Sequence, residues 1–239
     1  MKNNISRKSI ALVLAFTMVI TFAVCMPVSA ASSGGWSVSK AKYSFLTKSQ
    51  KTVFNKATKE IEGVSYKPVA LLAKQTVSGT NYIYLSQGTT VTAKPVKAWY
   101  ILSAGKTLDN KVLLNSINKI NLKKIKTNKN PRKKTTPGGL AIVKFKNKAK
   151  ALSKSVWKVF KKGTKKYTGY KLTPIALLGT QVVAGMNYRF MCYGKGYAGK
   201  DIFVVDIYEN LKGKCKVTSC KPLNLESYTE SPSVGVRRY

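Results

Sequence analysis

The sequence predicts an α+β chain that states one plan twice, each copy a single helix packed on an antiparallel sheet. Three observations carry this expectation. The stretch from Pro68 to Tyr82 returns from Pro174 to Tyr188, an offset of 106 residues with nine of fifteen positions identical. A period of that size marks a duplicated domain, because short solenoid repeats run at about 20–50 residues. In each copy, apolar residues flank a small-residue-plus-glycine pair, Ser78-Gly79 and Ala184-Gly185. That is the pattern of two strands joined by a tight turn. An amphipathic helical stretch precedes each hairpin.

The first thirty residues have the form of a secretory signal peptide. Lys2, Arg7 and Lys8 precede an uncharged run from Ile10 to Val24, and Val28-Ser29-Ala30 supplies a small-residue cleavage pattern. The run is too short for a comfortable bilayer span, and no other segment comes near the length needed. Cys25 raises the question of lipidation, but Val24 is a poor residue before a lipid-modified cysteine. Cleavage after Ala30 leaves an exported, soluble chain of about 209 residues, room for two domains. The plain, short signal suggests a bacterium of Gram-positive type.

Residues 31–122 form the first expected domain. Ala31 to Gly35 is a small, flexible leader, and Trp36 to Leu46 alternates loosely enough to start a short strand. Thr47-Lys48-Ser49-Gln50 fits a capping box, with Val53, Phe54, Ala57 and Ile61 at helical spacing behind it. A helix of about fourteen residues ending at Gly63 accounts for the pattern. The hairpin follows, its second strand continuing through Ile83-Tyr84-Leu85. Val91 to Leu102 and Val112 to Ile120 read as further strands, joined by a turn-rich stretch from Ala104 to Asn110. Trp99 falls inside a strand and is expected in the core.

From Lys123 to Thr136 the chain reads as a basic linker, with like charges, Pro131 and almost no apolar residues. Two readings stand side by side there: a solvated tether, or an arm that binds polyanions through residues such as Lys133 and Lys134. Residues 137–225 repeat the domain. Leu152, Val156, Val159 and Phe160 mark the second helix, Ile202 to Tyr208 a strong strand, and Lys214 to Cys220 a weaker one. The tail from Glu226 to Tyr239 reads as loose.

Composition limits the chemistry. Lys and Arg number 43 against 8 Asp and Glu, a net charge of +35. Removal of Lys2, Arg7 and Lys8 leaves a field that attracts nucleic acid, teichoic acid, anionic membrane or acidic protein, unless it only solvates the surface. There is no histidine, which removes Ser-His-Asp and Cys-His catalysis, histidine bases and histidine-bearing zinc sites. Among the acids only Asp206 and Glu209 are close in sequence, and odd spacing on a strand sends them to opposite faces. The chain is poorly equipped to be an enzyme, and no cofactor or metal is expected. The three cysteines after the signal, Cys192, Cys215 and Cys220, are odd in number, so one stays free or pairs with another molecule. Their pairing stays open.

Both halves show the same order: Gly34-Gly35 or Gly138-Gly139, a helix, then Gln75-x-Val77-x-Gly79 or Gln181-x-Val183-x-Gly185 at a hairpin tip. This resembles the cystatin family of cysteine-protease inhibitors. The resemblance implies two cystatin-like domains, each one helix packed across a curved antiparallel sheet. It also implies a wedge of diglycine segment, Gln-x-Val-x-Gly tip and second hairpin that plugs the active-site cleft of a papain-like cysteine protease. The protease-binding residues would be Gly34, Gly35, Gln75, Val77 and Gly79, and again Gly138, Gly139, Gln181, Val183 and Gly185. The Pro-Trp that the family's second hairpin often carries is missing here, and Leu108 or Leu211 would supply its hydrophobic contact. The function so implied is a secreted tandem inhibitor that occludes and does not catalyse. The alternative is a cationic extracellular protein on the same frame, gripping cell-wall polymer, nucleic acid or anionic membrane.

Overall fold

Strand β1 (Trp36–Val38) leads to helix α1 (Lys48–Thr58) in the computed structural model, which describes residues 36–38, 43–127, 141–142, 150–197 and 199–228. Thr47 starts α1 by the reciprocal box predicted: its side chain accepts from the Gln50 N–H, and the Gln50 side chain accepts from the Thr47 N–H. The helix stops at Thr58, short of Gly63. The sheet claims Gly63 instead, whose carbonyl accepts from the Val91 N–H at 2.9 Å. An antiparallel meander follows: β2 (Val64–Val77), β3 (Gly79–Thr90), β4 (Lys97–Lys106) and β5 (Val112–Lys119). Ala104 and Gly105, read as turn residues, extend β4.

The second half repeats the series. It comprises β6 (Ala141–Ile142), α2 (Lys154–Thr164, capped by Ser153), β7 (Lys171–Val183), β8 (Gly185–Gly196), β9 (Gly199–Glu209) and β10 (Cys215–Pro222). Equivalent bulges interrupt β2 at Pro68/Ala70 and Leu71/Ala73, and β7 at Pro174/Ala176 and Leu177/Gly179. A bulge accommodates a proline that cannot donate to the ladder, and it bends the strand.

The halves are not separate. One sheet runs β5-β4-β3-β2-β6 and the other β1-β7-β8-β9-β10, so each half lends its first short strand to the other half's sheet. The two sheets share a core in which Val69, Leu72, Ile83 and Trp99 meet Ile175, Leu178, Met191 and Val204. On the opposite faces, Phe54 of α1 packs with Leu71, Tyr84 and Leu102, and Phe160 of α2 with Phe190, Phe203 and Val205. The result is helix, sheet, sheet, helix.

This corrects the expected fold class. Two helix-plus-sheet, cystatin-like domains are not what forms: strand outweighs helix more than three to one, and the chain is a β-rich pair of antiparallel sheets. The described residues fall in one compact unit. The physical reason is visible in β2, where Val69 to Ala73 are all buried although alternate residues face opposite ways. A strand with that pattern needs cover on both faces, and one short helix covers only one.

Polar contacts tie the halves further. The Trp99 indole, 1% exposed, donates to the Leu178 carbonyl at 2.7 Å. Arg189 grips Asp206 through two parallel bonds, Nε–Oδ1 at 2.7 Å and Nη2–Oδ2 at 2.6 Å, and its remaining nitrogen donates to the Leu122 carbonyl. The start of the expected linker is pinned: the Asn224 N–H donates to the Lys126 carbonyl at 3.0 Å, and Thr127 bridges Leu223. Glu226–Tyr228, assigned to a loose tail, forms a 3₁₀ turn whose buried Tyr228 accepts from Ser116 Oγ at 2.8 Å through its carbonyl. The signal segment, linker residues 128–136 and the tail beyond 228 lie outside the described residues.

Candidate functional site

The two repeated tips are tight and stand at the ends of long strands. Gln75 pairs with Asn81, Thr76 with Thr80 and Val77 with Gly79, leaving Ser78 at the apex; Gln181, Val183 and Gly185 repeat this around Ala184. Gly79 has φ +117° and Gly185 φ +119°. A Cβ on Gly79 would lie 2.3 Å from the Lys106 carbonyl oxygen, and one on Gly185 2.3 Å from that of Glu209. The glycines are therefore required because each tip crowds against the end of the next strand, more than to spare room for a partner. Gly79→Ala is expected to cost on the order of 3 kcal/mol, the upper range for backbone strain, because a clash adds to it. Gly213→Ala, at φ +70° with nothing within 4 Å of its Cβ, should cost about 1 kcal/mol. Denaturant midpoints of the two variants test that order.

Gln75 and Gln181 hold the tips from the side. Asn81 Nδ2 donates to Gln75 Oε1 at 3.1 Å, and Asn187 Nδ2 to Gln181 Oε1 at 2.9 Å. Sequence reasoning missed both asparagines, although the repeat carries them at the same offset as the glutamines. Their side chains lie directly opposite the glutamines across the hairpin, where polar pairs stabilise a sheet.

Beside each tip stands a second loop. Thr107 to Lys111 is closed by the Thr107 N–H donating to the Lys111 carbonyl at 3.0 Å, and Asn210 to Lys214 by the matching bond, also 3.0 Å. The Thr107 hydroxyl, and then Lys111, hold the Asp109 carboxyl below its ordinary range. In the second half, the Tyr208 hydroxyl donates to the Ala184 carbonyl and fastens tip to loop strand. Each closed loop presents one leucine, Leu108 at 82% and Leu211 at 85% exposure, and the tips expose Val77 at 48% in the first half and Val182 and Val183 at 47% and 41% in the second. Each half thus ends in two neighbouring turns with exposed apolar side chains, one valine and one leucine in the first half and two valines and one leucine in the second.

The diglycines Gly34-Gly35 and Gly138-Gly139 lie outside the described residues, but the strands after them are described. Trp36, which follows Gly35 directly, pairs with Gln181, and Ala141, two residues after Gly139, pairs with Lys74. Each leader strand therefore runs beside the tip of the other half and not its own. The expectation that Gly34 and Gly35 stand with Gln75-x-Val77-x-Gly79, and Gly138 and Gly139 with Gln181-x-Val183-x-Gly185, falls on glycines outside the described residues.

Cys215 and Cys220 lie on one strand, and all three described cysteines are free. Asp206 and Glu209 part company as their spacing implies: Asp206 bonds Arg189, and Glu209 accepts from the Tyr188 hydroxyl at 2.9 Å. Among the described residues no group of three or more metal-ligating side chains occurs, and no helix is long and apolar enough to cross a membrane. No protein-family model and no curated protein matches the chain.

Burial pushes the Cys192 thiol well above its ordinary 9.0, and burial followed by neighbouring groups raises Tyr84 and Tyr188 from 10.0. Unfolding returns these groups to ordinary values, so the folded chain holds more protons above pH 9. Stability is then fully present below about pH 9 and falls as pH rises, by up to about 1.4 kcal/mol per pH unit for the buried Cys192 thiol and by less for the partly solvated tyrosines. Urea midpoints between pH 8 and pH 10.5 should show this fall, and Cys192→Val should flatten its first part.

Proposed function

We propose that the chain is an exported inhibitor that occludes the active-site cleft of papain-like cysteine proteases with its two Val-Leu edges. The observation that carries this reading is the exposure of apolar side chains on two turns whose backbones crowd together, Val77 and Leu108 in the first half and Val182, Val183 and Leu211 in the second. A short convex edge enters a narrow cleft with little loss of chain freedom, and its apolar side chains leave water only when something covers them. The Gln-x-Val-x-Gly likeness to cystatins points to the same target. Occlusion involves no bond making, which suits a chain without histidine. The charge would hold such an inhibitor near anionic cell-wall polymer after secretion.

Titration against papain tests the reading. Unmodified protein should neutralise up to two equivalents, Val77→Asp with Leu108→Asp should reduce this to one, and adding Val183→Asp with Leu211→Asp should leave none. Papain that keeps full activity at micromolar concentrations of the unmodified protein would end the proposal.

A further inference from the structure

Between the end of α2 and the start of β10 lies an open groove of about 530 Å³. Lys162, Lys165 and Lys166 line it from the helix side and Lys214 and Lys216 from the strand side, all five exposed. Lys162 Nζ also donates to the Gly213 carbonyl at 3.3 Å, fastening the end of the helix to the β9–β10 loop. One carboxylate reaches the groove's edge: Glu209 accepts from the Tyr188 hydroxyl at 2.9 Å through one oxygen and from the groove-lining Cys215 thiol at 3.8 Å through the other, and it lines the adjacent hollow with Lys158 and Lys162.

The duplication provides a comparison within one chain. At the helix offset of 106, Lys162, Lys165 and Lys166 correspond to Lys56, Lys59 and Glu60. The β9–β10 loop and the β4–β5 loop superpose with an offset of 103, since Asn210–Lys214 and Thr107–Lys111 close with the same bond. Lys214 and Lys216 therefore correspond to Lys111 and Leu113. Five cations in one half face three cations and one anion in the other. The fold forms in both halves, so it does not require the extra charge. Five like charges around one groove repel one another, and a multivalent anion relieves that repulsion.

We propose that the α2–β10 groove binds the backbone of a base-free linear phosphodiester polymer. Lysines are point charges that track successive phosphates, where a planar, bidentate acceptor would favour arginine. Binding single-stranded nucleic acid draws on several aromatic faces for base stacking, and this groove offers only Tyr167. None of the outward valines and leucines lines the groove, although it borders the Asn210–Lys214 loop that carries Leu211, so binding here does not need protease occlusion.

The test is fluorescence anisotropy of labelled poly(glycerol phosphate) with the full chain. Lys165→Gln, Lys166→Gln and Lys216→Gln together should weaken binding at least about tenfold and flatten the salt slope by about 2, near 0.7 for each lost contact. Arg132→Gln, Lys133→Gln and Lys134→Gln remove the same charge from the linker and should change affinity less than threefold. Circular dichroism checks that each variant folds. In the unsubstituted protein, bound polymer should slow alkylation of Cys215, which lines the groove. Equal losses from the two triple variants, unchanged Cys215 alkylation, or tighter binding of a single-stranded oligonucleotide of equal charge would each overturn the proposal. Variants at Val77, Leu108, Val183 and Leu211 should bind polymer normally, which separates failure here from failure as an inhibitor.

Discussion

Trp99→Ala is expected to lower the stability of the whole chain by about 3–5 kcal/mol, the range for deleting a buried aromatic side chain. Trp99 is among the largest fully buried side chains, and its ring fills the space between the two sheets. Truncation leaves a cavity that well-packed neighbours cannot close, and it strips the Leu178 carbonyl of its indole donor. The equivalent position in the second half is Ile202, so no second tryptophan shares the load. The shape of the transition carries as much information as its midpoint. With one shared core, probes in both halves should report a single shifted transition by denaturant melt. A variant in which only the first half's signal moves would show two independent domains.

Removal of the chain through Val38 is expected to act on the half that does not contain it. Hydrogen exchange should rise at least tenfold in β7 at Gly179 to Gln181, where β1 pairs, and stay unchanged across Lys74 to Val77. The backbone groups that β1 satisfies become an open sheet edge, and open edges exchange freely. If the edges inhibit proteases, the same truncation should weaken the Gln181–Gly185 edge and spare the Gln75–Gly79 edge. Papain titration of the truncated chain carrying Val77→Asp and Leu108→Asp, against the chain with those two changes alone, reads this directly. Loss confined to the first half's β2 would refute the crossed arrangement.

Much of the local structure was legible. Thr47 and Gln50 announce their capping box by spacing alone, and the helix face of Val53, Phe54 and Ala57 follows from the 3.6-residue period. The hairpins announce themselves through glycines at the tips, since the chain reverses there with a positive φ. The two-sided burial of Val69 to Ala73 was also on view, as an unbroken apolar run where a half-solvated strand would alternate. Reading it as half of an independent domain missed the second sheet. The candidate edges were legible in part: Leu108 and Leu211 stand where the second hairpins were expected, but Asn81 and Asn187 showed their role only through cross-strand register.

By itself, then, the sequence determined the duplication, the capped helices, the hairpins and their glycine tips, because each depends on interactions within a few residues. Only the tertiary structure decided which sheet receives each leader strand and that the sheets stack. Strands as short as Trp36–Val38 and Ala141–Ile142 pair through backbone groups that are alike in every residue, and the two receiving edges are copies of one another. The choice falls to the shared core, which draws both sheets together and leaves each leader beside the other half's hairpin.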